Sequence, residues 1–370
     1  MAKNTESKGS VVVGMSGGVD SSVAAFVLKQ QGFEVIGLHM KSSNSETSAD
    51  DEKNARAIAE KLGIELVVTH YEDEMQKVKD YFIKEYKNGK TPNPCVVCNK
   101  IVKFKPFIDY AERVGADYFA TGHYAKIEHT EYGHILYSGK DLPKDQSYFL
   151  NQLSQNQLQK VLFPLGEFSK NEVRDIAEKI GFDNANRKDS YDVCFLGSQK
   201  FKEYIDSVIP EKEGDIVDIT TGKVIGKHLG LSKYTLGQRK GLGIGGGLGK
   251  TLDAWFVAKK DLKTNTLYAQ QGNGESLYSD TILVSDFNWI PKEPGSEIEC
   301  LAKFRYRQDF QKVNVKVIEN GLVEIVCKEK QRAVTPGQFA VLYKEENNGY
   351  RCLGGGRITS LKSDGNELDL

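Results

Sequence analysis

The segment that most constrains the fold is an apolar run, residues 11–15, followed by the loop SGGVDSS at residues 16–22 and then by a helical pattern. Two glycines let the backbone approach an anion closely, and the helix that follows supplies free amides and a positive dipole end. The loop has neither the Gly-Lys-Ser/Thr ending of a Walker A loop nor a dinucleotide fingerprint. An isolated glycine pair is more often a simple turn before a helix capped by Ser16 or Asp20. The pattern therefore predicts an α/β domain whose first loop either binds phosphate or only turns the chain.

Apolar runs alternate with helical patterns through residues 1–205. Strands are predicted at residues 11–15, 34–40, 65–70 and 117–121, and helices at residues 21–31, 50–62 and 72–87. The sequence SKNE at residues 169–172 has the pattern of a capping box and predicts a further helix that ends at Gly181. Alternation of this kind predicts βαβ units on a parallel sheet.

Beyond residue 205 the sequence changes to short alternating segments broken by glycine. Asn320-Gly321 and Asn348-Gly349 each lie between two such segments and predict hairpins. We therefore expect a C-terminal antiparallel β-barrel at residues 276–370. Residues 206–275 are predicted to form a small mixed or β linking domain, in which the glycine-rich residues 237–249 form a long loop.

Composition limits where the chain works and what it binds. With 370 residues it exceeds the roughly 250–300 residues at which single cores stop growing, and 50 Lys+Arg against 51 Asp+Glu leave a net charge of −1. A nucleic acid would therefore have to be bound by local basic patches. No apolar run approaches the roughly 18 residues of a membrane span, and the polar N-terminus lacks the apolar core of a signal peptide. These features predict a cytoplasmic protein.

Six cysteines are too few for a disulfide scaffold in a chain this long, so we expect reduced thiols. Cys95 and Cys98 lie in a proline-bounded turn, TPNPCVVCNK at residues 91–100, and Cys194 ends KDSYDVC at residues 188–194. The lysines near Cys98 would favour its nucleophilic thiolate; they are Lys100, Lys103 and Lys105. Three further cysteines are predicted to be inert buried hydrophobes; they are Cys300, Cys327 and Cys352.

The loop at residues 16–22 resembles the SGGxDS signature of the N-type ATP pyrophosphatases, which have an adenine nucleotide α-hydrolase-like fold and adenylate a carbonyl oxygen. The resemblance implies ATP and Mg²⁺ as cofactors. Phosphate contacts are implied for Gly14, Met15, Ser16, Gly17, Gly18, Val19, Asp20 and Ser21. Within this set Asp20 is the expected magnesium-side carboxylate, Met40 would border the adenine, and Gly122 would lie beside ATP.

Motifs along nearly the whole chain are similar to those of the tRNA-specific 2-thiouridylases. They are SGGVDSSVAA, TPNPCVVCNK, ATGHY, KDQSYF, KDSYDVCF, YTLGQR, FRYR and PGQ. In that family ATP adenylates the 2-carbonyl of the wobble uridine, and the cysteine aligned with Cys194 carries a persulfide supplied by a sulfur-donor protein. The resemblance implies that Cys98 attacks this persulfide, which releases sulfur to the base and leaves a Cys98–Cys194 disulfide.

The same resemblance implies tRNA as the partner and assigns contacts to it. Those to the target base or the tRNA body are Asn93, Pro94, Cys95, His123, Lys144, Asp145, Gln146, Tyr306, Arg307 and Gln338. A local basic patch in the linking domain is predicted to bind the tRNA body; it consists of Lys233, Arg239, Lys240 and Lys250.

Position 95 departs from the family pattern, which has an aspartate there as the expected general acid or base. The proton that this aspartate would transfer would pass here to Asp189, to Asp192, to water or to Cys95 itself. Alternatively, Cys95, Cys98 and Cys194 together ligate an iron–sulfur cluster, as in a related class of thiolases. An amidating pyrophosphatase that uses ammonia or an amine is a further alternative, although it would not need Cys98 and Cys194. A non-enzymatic alternative is an RNA-binding module with a vestigial nucleotide pocket.

Overall fold

The computed structural model describes residues 8–41, 46–187, 193–196, 201–210, 212–244, 253–318 and 321–368. Their strands form a five-stranded sheet, a four-stranded sheet and a large antiparallel sheet that closes on itself. The predicted class is therefore confirmed: an α/β domain is followed by a small β domain and a barrel. Within the described ranges no helix is long and apolar enough to cross a membrane.

The elements of the first domain are β1 Ser10–Gly14, α1 Val19–Gln30, β2 Glu34–Lys41, α2 Glu46–Leu62, β3 Glu65–His70, α3 Glu72–Lys87, α4 Pro94–Cys98, α5 Lys105–Arg113, β4 Tyr118–Ala120, β5 Ala125–Thr130, β6 Gly133–Ser138, α6 Gln155–Lys160, β7 Val161–Leu162, α7 Lys170–Lys179 and α8 Phe201–Val208. Five of these strands form a parallel sheet with strand order β3-β2-β1-β4-β7, whereas β5 and β6 belong to the large antiparallel sheet. Val11, Val12 and Val13 are fully buried, as expected for a parallel strand covered on both faces.

Two predictions about local structure were wrong. Helix α2 begins at Glu46 and not at residue 50, because the polar residues 46–49 contain no helix breaker although they add nothing to the apolar pattern. The cysteines at 95 and 98 lie on a short helix, α4, and not in a turn. Asn93 caps α4 through its side chain, and Pro94 takes the first helical position, where its missing amide costs nothing. A π-helix, Asn99–Phe104, continues from α4 into α5.

The middle sheet has strand order β10-β11-β8-β9 and a small core of its own around Ile216, Val257 and Leu267. Its strands are β8 Gly214–Asp218, β9 Val224–His228, β10 Trp255–Asp261 and β11 Thr266–Gln271. Of the predicted glycine-rich loop, residues 245–249 lie outside the described residues.

The strands described in the C-terminal domain are β12 Tyr278–Trp289, β13 Glu297–Lys303, β14 Gln311–Val317, β15 Val323–Arg332, β16 Phe339–Glu346, β17 Gly349–Ser363 and the short β18 Asn366–Glu367. The six from β12 to β17 form a barrel, which closes because β12 pairs with both β15 and β17, whereas β18 pairs with β17 alone. The hairpin at Asn348-Gly349 is confirmed between β16 and β17. At the other predicted hairpin β14 pairs with β15, and Asn320 lies outside the described residues. The β5–β6 hairpin of the first domain pairs with β17, so the two domains share a sheet.

Candidate active site

The loop between β1 and α1 is folded by its own serines. Ser21 Oγ accepts from the Ser16 amide at 3.1 Å and donates to the Gly18 carbonyl at 3.0 Å. Gly18 is the N-cap of α1, and no side chain caps it. The alternative of a simple turn before a helix capped by Ser16 or Asp20 is therefore not observed, and the N-terminal amides of α1 are not covered by a capping side chain. This arrangement suits a bound anion.

The carboxylate of Asp20 is held by two residues that lie far along the chain. Lys170 Nζ lies 2.7 and 2.8 Å from its two oxygens, and the Tyr124 hydroxyl donates to Oδ1 at 2.8 Å. Lys170 is buried at the first position of α7, which begins with the predicted capping box of Ser169 and Glu172. The chain thus has a lysine at the phosphate loop, supplied from outside it. The role of Lys170 could not be predicted from the sequence, because only its neighbour Ser169 carries a recognisable local signal.

The segment after α7 braces the same loop. Asn184 is buried and donates to the Gly17 carbonyl at 2.9 Å and to Ser22 Oγ at 3.1 Å. Arg187 forms an ion pair with Asp51 at 2.6 Å. Gly17 has φ +80°, and a Cβ there would overlap the Asp51 backbone. The loop therefore needs this glycine for both its conformation and its close approach to α2.

Gly122 follows β4 and packs against the start of α1. A Cβ at this position would lie 2.7 Å from the Asp20 carbonyl carbon and 2.8 Å from the Ser21 amide nitrogen. The absence of a side chain is thus required by the packing of the loop itself. Met15 is buried, and its carbonyl oxygen contacts His39 Nδ1 at 2.8 Å, while Met40 is half-buried at the end of β2.

The cysteines predicted to be catalytic differ in exposure. Cys98 is buried at the end of α4, whereas Cys194 is exposed on a short turn. The residue after Cys194, Phe195, packs against Phe82 with ring centroids 5.3 Å apart. Met40 and Phe195 both pack against the apolar cluster that contains Cys98. The residue predicted to border the adenine and the neighbour of Cys194 thus pack against the same small cluster, of which the buried Cys98 is a member.

Burial raises the pKa of the Cys98 thiol to about 12, although the Lys103 ammonium lowers it. Burial also raises the pKa of Cys95. Only one of the three lysines predicted to favour a thiolate acts on the thiols. Lys100 donates to Gln152 at 3.2 Å and Lys105 pairs with Asp109 at 2.9 Å, which corrects the prediction for those two.

The three thiols at 95, 98 and 194 do not form a cluster site in the described part of the chain. No three His, Cys, Asp or Glu side chains converge there as metal ligands. A lysine, Lys103, lies within electrostatic range of all three thiols. Asp189 and Asp192, the alternative proton carriers, lie outside the described residues. For Mg²⁺, Asp20 is the carboxylate at the loop, and this ion is commonly bound by one or two carboxylates and the substrate phosphates. Because Lys170 contacts both Asp20 oxygens, a magnesium ion would have to share this carboxylate with the ammonium.

His123 follows Gly122 and is a neutral imidazole. Its Nδ1 is 2.7 Å from Thr121 Oγ1, and the rings of Phe104 and Phe163 lie about it. Burial, and secondarily the Lys103 charge, lowers its pKa to about 3. It is therefore uncharged at neutral pH.

Several residues predicted to bind tRNA already have partners within the protein. Asp145 is buried and accepts hydrogen bonds from the amides of Gly139 and Ser147, both at 3.0 Å, so this position supports a role in shaping its loop and not direct contact. Gln146 Oε1 accepts from the Tyr124 amide at 3.0 Å. The side chains of Tyr306 and Phe149 pack with ring centroids 4.3 Å apart.

The predicted basic patch is smaller than its sequence indicates. Arg239 and Lys240 are exposed, whereas Lys233 forms an ion pair with Asp206 of α8 and Lys250 lies outside the described residues. Arg305, which was not predicted, donates to the carbonyls of Leu236 and Ala333 and thus joins the middle domain to the barrel.

Comparison with protein families matches the chain in three consecutive parts. Residues 9–198 match the tRNA methyl transferase HUP domain, residues 202–271 the tRNA methyl transferase PRC-barrel domain, and residues 279–358 the aminomethyltransferase beta-barrel domain. One solved structure in the comparison is only distantly similar. The U34-tRNA thiolase NcsA from Methanococcus maripaludis with its [4Fe-4S] cluster is 20% identical over 52% of this chain and 63% of that chain, with a TM-score of 0.37. This similarity is too low to bear on the cysteines.

Curated relatives match over almost the whole length. The tRNA-specific 2-thiouridylase MnmA of Listeria monocytogenes serotype 4b (strain CLIP80459) is 48% identical over 97% of both chains. That of Enterococcus faecalis (strain ATCC 700802 / V583) is 48% identical over 100% of this chain and 99% of its own. Identity at this level across all three domains shows that the chain belongs to the tRNA-specific 2-thiouridylase family.

Proposed function

We propose that this protein is an ATP-dependent tRNA-uridine 2-sulfurtransferase that thiolates the wobble uridine. The observation that carries the proposal is the shared packing of three groups. Met40 on the nucleotide side and Phe195 beside Cys194 both contact the cluster that contains Cys98. A base activated at the phosphate loop would therefore lie near both thiols. An amidating enzyme has no use for such a pair.

In the first step the uracil 2-carbonyl oxygen attacks the α-phosphorus of ATP, and pyrophosphate leaves. Without activation, oxide would be the leaving group; adenylation replaces it with AMP, a far better one. The α1 amides and Lys170 would bind the phosphates, with Asp20 orienting Lys170. A bound Mg²⁺ would neutralise phosphate charge at Asp20.

In the second step the terminal sulfur of a Cys194 persulfide attacks C2 of the base and displaces AMP. Cys98 then attacks the Cys194 sulfur, so the S–S bond to the transferred sulfur breaks and a Cys98–Cys194 disulfide forms. The thiouridine leaves with the transferred sulfur, and a dithiol reductant returns both cysteines to thiols. The exposure of Cys194 suits loading by a sulfur-donor protein, and the burial of Cys98 protects the resolving thiol.

The RNA would be bound by basic residues at the surface and by the protein groups around the cysteine helix. We assign phosphate contacts to the exposed residues Arg239, Lys240 and Arg307 and to the half-buried Lys144. His123, Tyr306 and the residues at the start of α4, Asn93, Pro94 and Cys95, would face the target base, which must leave its stack to reach the thiols. The cytoplasm supplies the ATP and reducing conditions that this chemistry needs.

Mass spectrometry of tRNA nucleosides from a deletion strain tests the proposal. We expect loss of 2-thiouridine, restored by the wild-type gene and not by Cys98→Ser. Unchanged 2-thiouridine would refute the proposed activity. Iron analysis of anaerobically purified protein decides between mechanisms: activity without iron supports the persulfide relay, and an iron requirement overturns it.

A further inference from the structure

The cysteine helix α4, Pro94–Cys98, has different support at its two ends. At its C-terminal end the π-helix Asn99–Phe104 continues it into α5. At its N-terminal end no helical residue precedes Pro94, so the position of this end depends on the contacts made by the segment before the helix. That segment, residues 90–93, meets a turn of the barrel at residues 335–338.

The turn binds the backbone of Thr91 on both sides. The Thr91 amide donates to the Pro336 carbonyl at 3.0 Å, and Gln338 Nε2 donates to the Thr91 carbonyl at 2.8 Å. The same Nε2 lies 3.3 Å from the Pro92 carbonyl. Gln338 thus supplies a donor to two consecutive carbonyls just before the helix.

Two further contacts fix the segment. Gly337 has φ +94°, and a Cβ there would lie 3.0 Å from both Lys90 Cβ and the Thr91 carbonyl oxygen, so the turn lies against the segment with no space between them. Thr91 Oγ1 donates to Thr235 Oγ1 of the middle domain at 3.3 Å. Residues from three domains therefore meet at Thr91.

The far end of the segment lies near a second contact with the barrel. The Asn93 side chain, which caps α4, lies beside the hydroxyl of Tyr148. That hydroxyl donates to the carbonyl of Phe339 at 2.9 Å, one residue after Gln338. The turn thus holds the segment at Thr91 and Pro92, and Asn93 lies beside a side chain that is bonded to the strand after the turn.

We propose that the barrel turn 335–338 positions the cysteine helix for sulfur transfer and that Gln338 is its principal positioning residue. This inference rests on the proposed function, and it gives Gln338 a role other than the tRNA contact that its motif implies. The Gln338 amide is already used on Thr91 and Pro92. The barrel would thus control where Cys98 lies without touching the reacting atoms.

The test uses the full-length variant Gln338→Met, which keeps the side-chain volume and removes the donor. Its control is Gln311→Met, because Gln311 hydrogen-bonds to Asp309 and Gln331 within the barrel. Three quantities are measured: tRNA affinity, pyrophosphate released, and 2-thiouridine formed per pyrophosphate. Misplacement of a reacting group by about 1 Å costs on the order of 100-fold in rate.

For Gln338→Met we expect the thiouridine-to-pyrophosphate ratio to fall by about 10- to 100-fold, with tRNA affinity within about twofold of wild type. A general loss of folded protein would lower both products equally and leave the ratio unchanged. An unchanged ratio overturns the proposal, and if affinity alone falls, Gln338 contacts RNA directly.

Hydrogen exchange in the RNA-free protein tests the contact independently of activity. The Thr91 amide should exchange faster in Gln338→Met than in wild type or Gln311→Met. In Gly337→Ala the added methyl group would press against Lys90 and the Thr91 carbonyl, so this variant should have the same effect. Unchanged exchange in both variants refutes the positioning role even if the protein thiolates tRNA. Failure of the wild type to thiolate tRNA refutes the proposed function instead.

Discussion

The ammonium of Lys170 lies 2.7 and 2.8 Å from the two oxygens of Asp20, which precedes it by 150 residues in the chain. The pair joins the N-terminus of α7 to that of α1 at the phosphate loop. It places one positive charge beside the helix amides that would receive a phosphate.

Lys170→Met should therefore abolish ATP consumption. We expect tRNA-dependent pyrophosphate release to fall by at least about 100-fold, since charge-stabilising groups at reacting phosphates contribute this much or more. Asp20→Ala should behave similarly, and both should keep wild-type tRNA affinity in a gel shift. Lys179→Met, on the exposed last turn of α7, is the matched control. Undiminished pyrophosphate release in Lys170→Met would remove this lysine from the mechanism.

The helices, strands and loops around this site could be predicted from the sequence, but the contacts between them could not. The strand, the glycine loop and the capping box at Ser169 are local signals, and each predicted its element. Nothing local indicates that Lys170 reaches Asp20 or that the barrel turn binds Thr91, because these contacts join segments far apart in the sequence. The helix α4 is predictable from the sequence, because Asn93 followed by Pro94 is the pattern of a cap and a first helical residue.

The exposed basic residues should control the salt dependence of tRNA binding. Each phosphate contact contributes about 0.7–0.9 to the slope of log K against log salt. Neutralising Arg239, Lys240 and Arg307 together should therefore reduce the slope by about 2. Lys233→Gln should change it little, because Lys233 is paired with Asp206. If Lys233→Gln reduced the slope more than the triple neutralisation does, the RNA would have to bind a different surface of the protein.

The two thiols should react with iodoacetamide at very different rates in the RNA-free protein. The pKa of a free thiol is about 8.5, whereas burial raises the pKa of Cys98 to about 12. Because the thiolate is the reactive form, alkylation of Cys98 should still be increasing with pH above about 9, where an ordinary thiol is levelling off. Cys194 should react first at neutral pH. Peptide mass spectrometry measures both sites; equal rates at neutral pH would show that Cys98 is not protected.

Position 95 separates the proposed mechanism from a cluster mechanism. If Cys95 only handles a proton, Cys95→Asp, the residue expected in the family, should retain activity within about tenfold, since general acid–base groups contribute more than that when lost. Cys95→Ser should then be weaker. A cluster that needs three thiolates would survive neither change. Activity and iron content measured together for both variants decide between the two.

In the proposed mechanism adenylation and sulfur transfer are separate steps, and Cys98 acts only in the second. A single-turnover reaction with persulfide-loaded enzyme, tRNA and ATP measures both, as pyrophosphate and as 2-thiouridine. For Cys98→Ser we predict pyrophosphate release at the wild-type rate, accumulation of adenylated or protein-linked tRNA, and no 2-thiouridine. Formation of 2-thiouridine by Cys98→Ser at the wild-type rate would contradict the account.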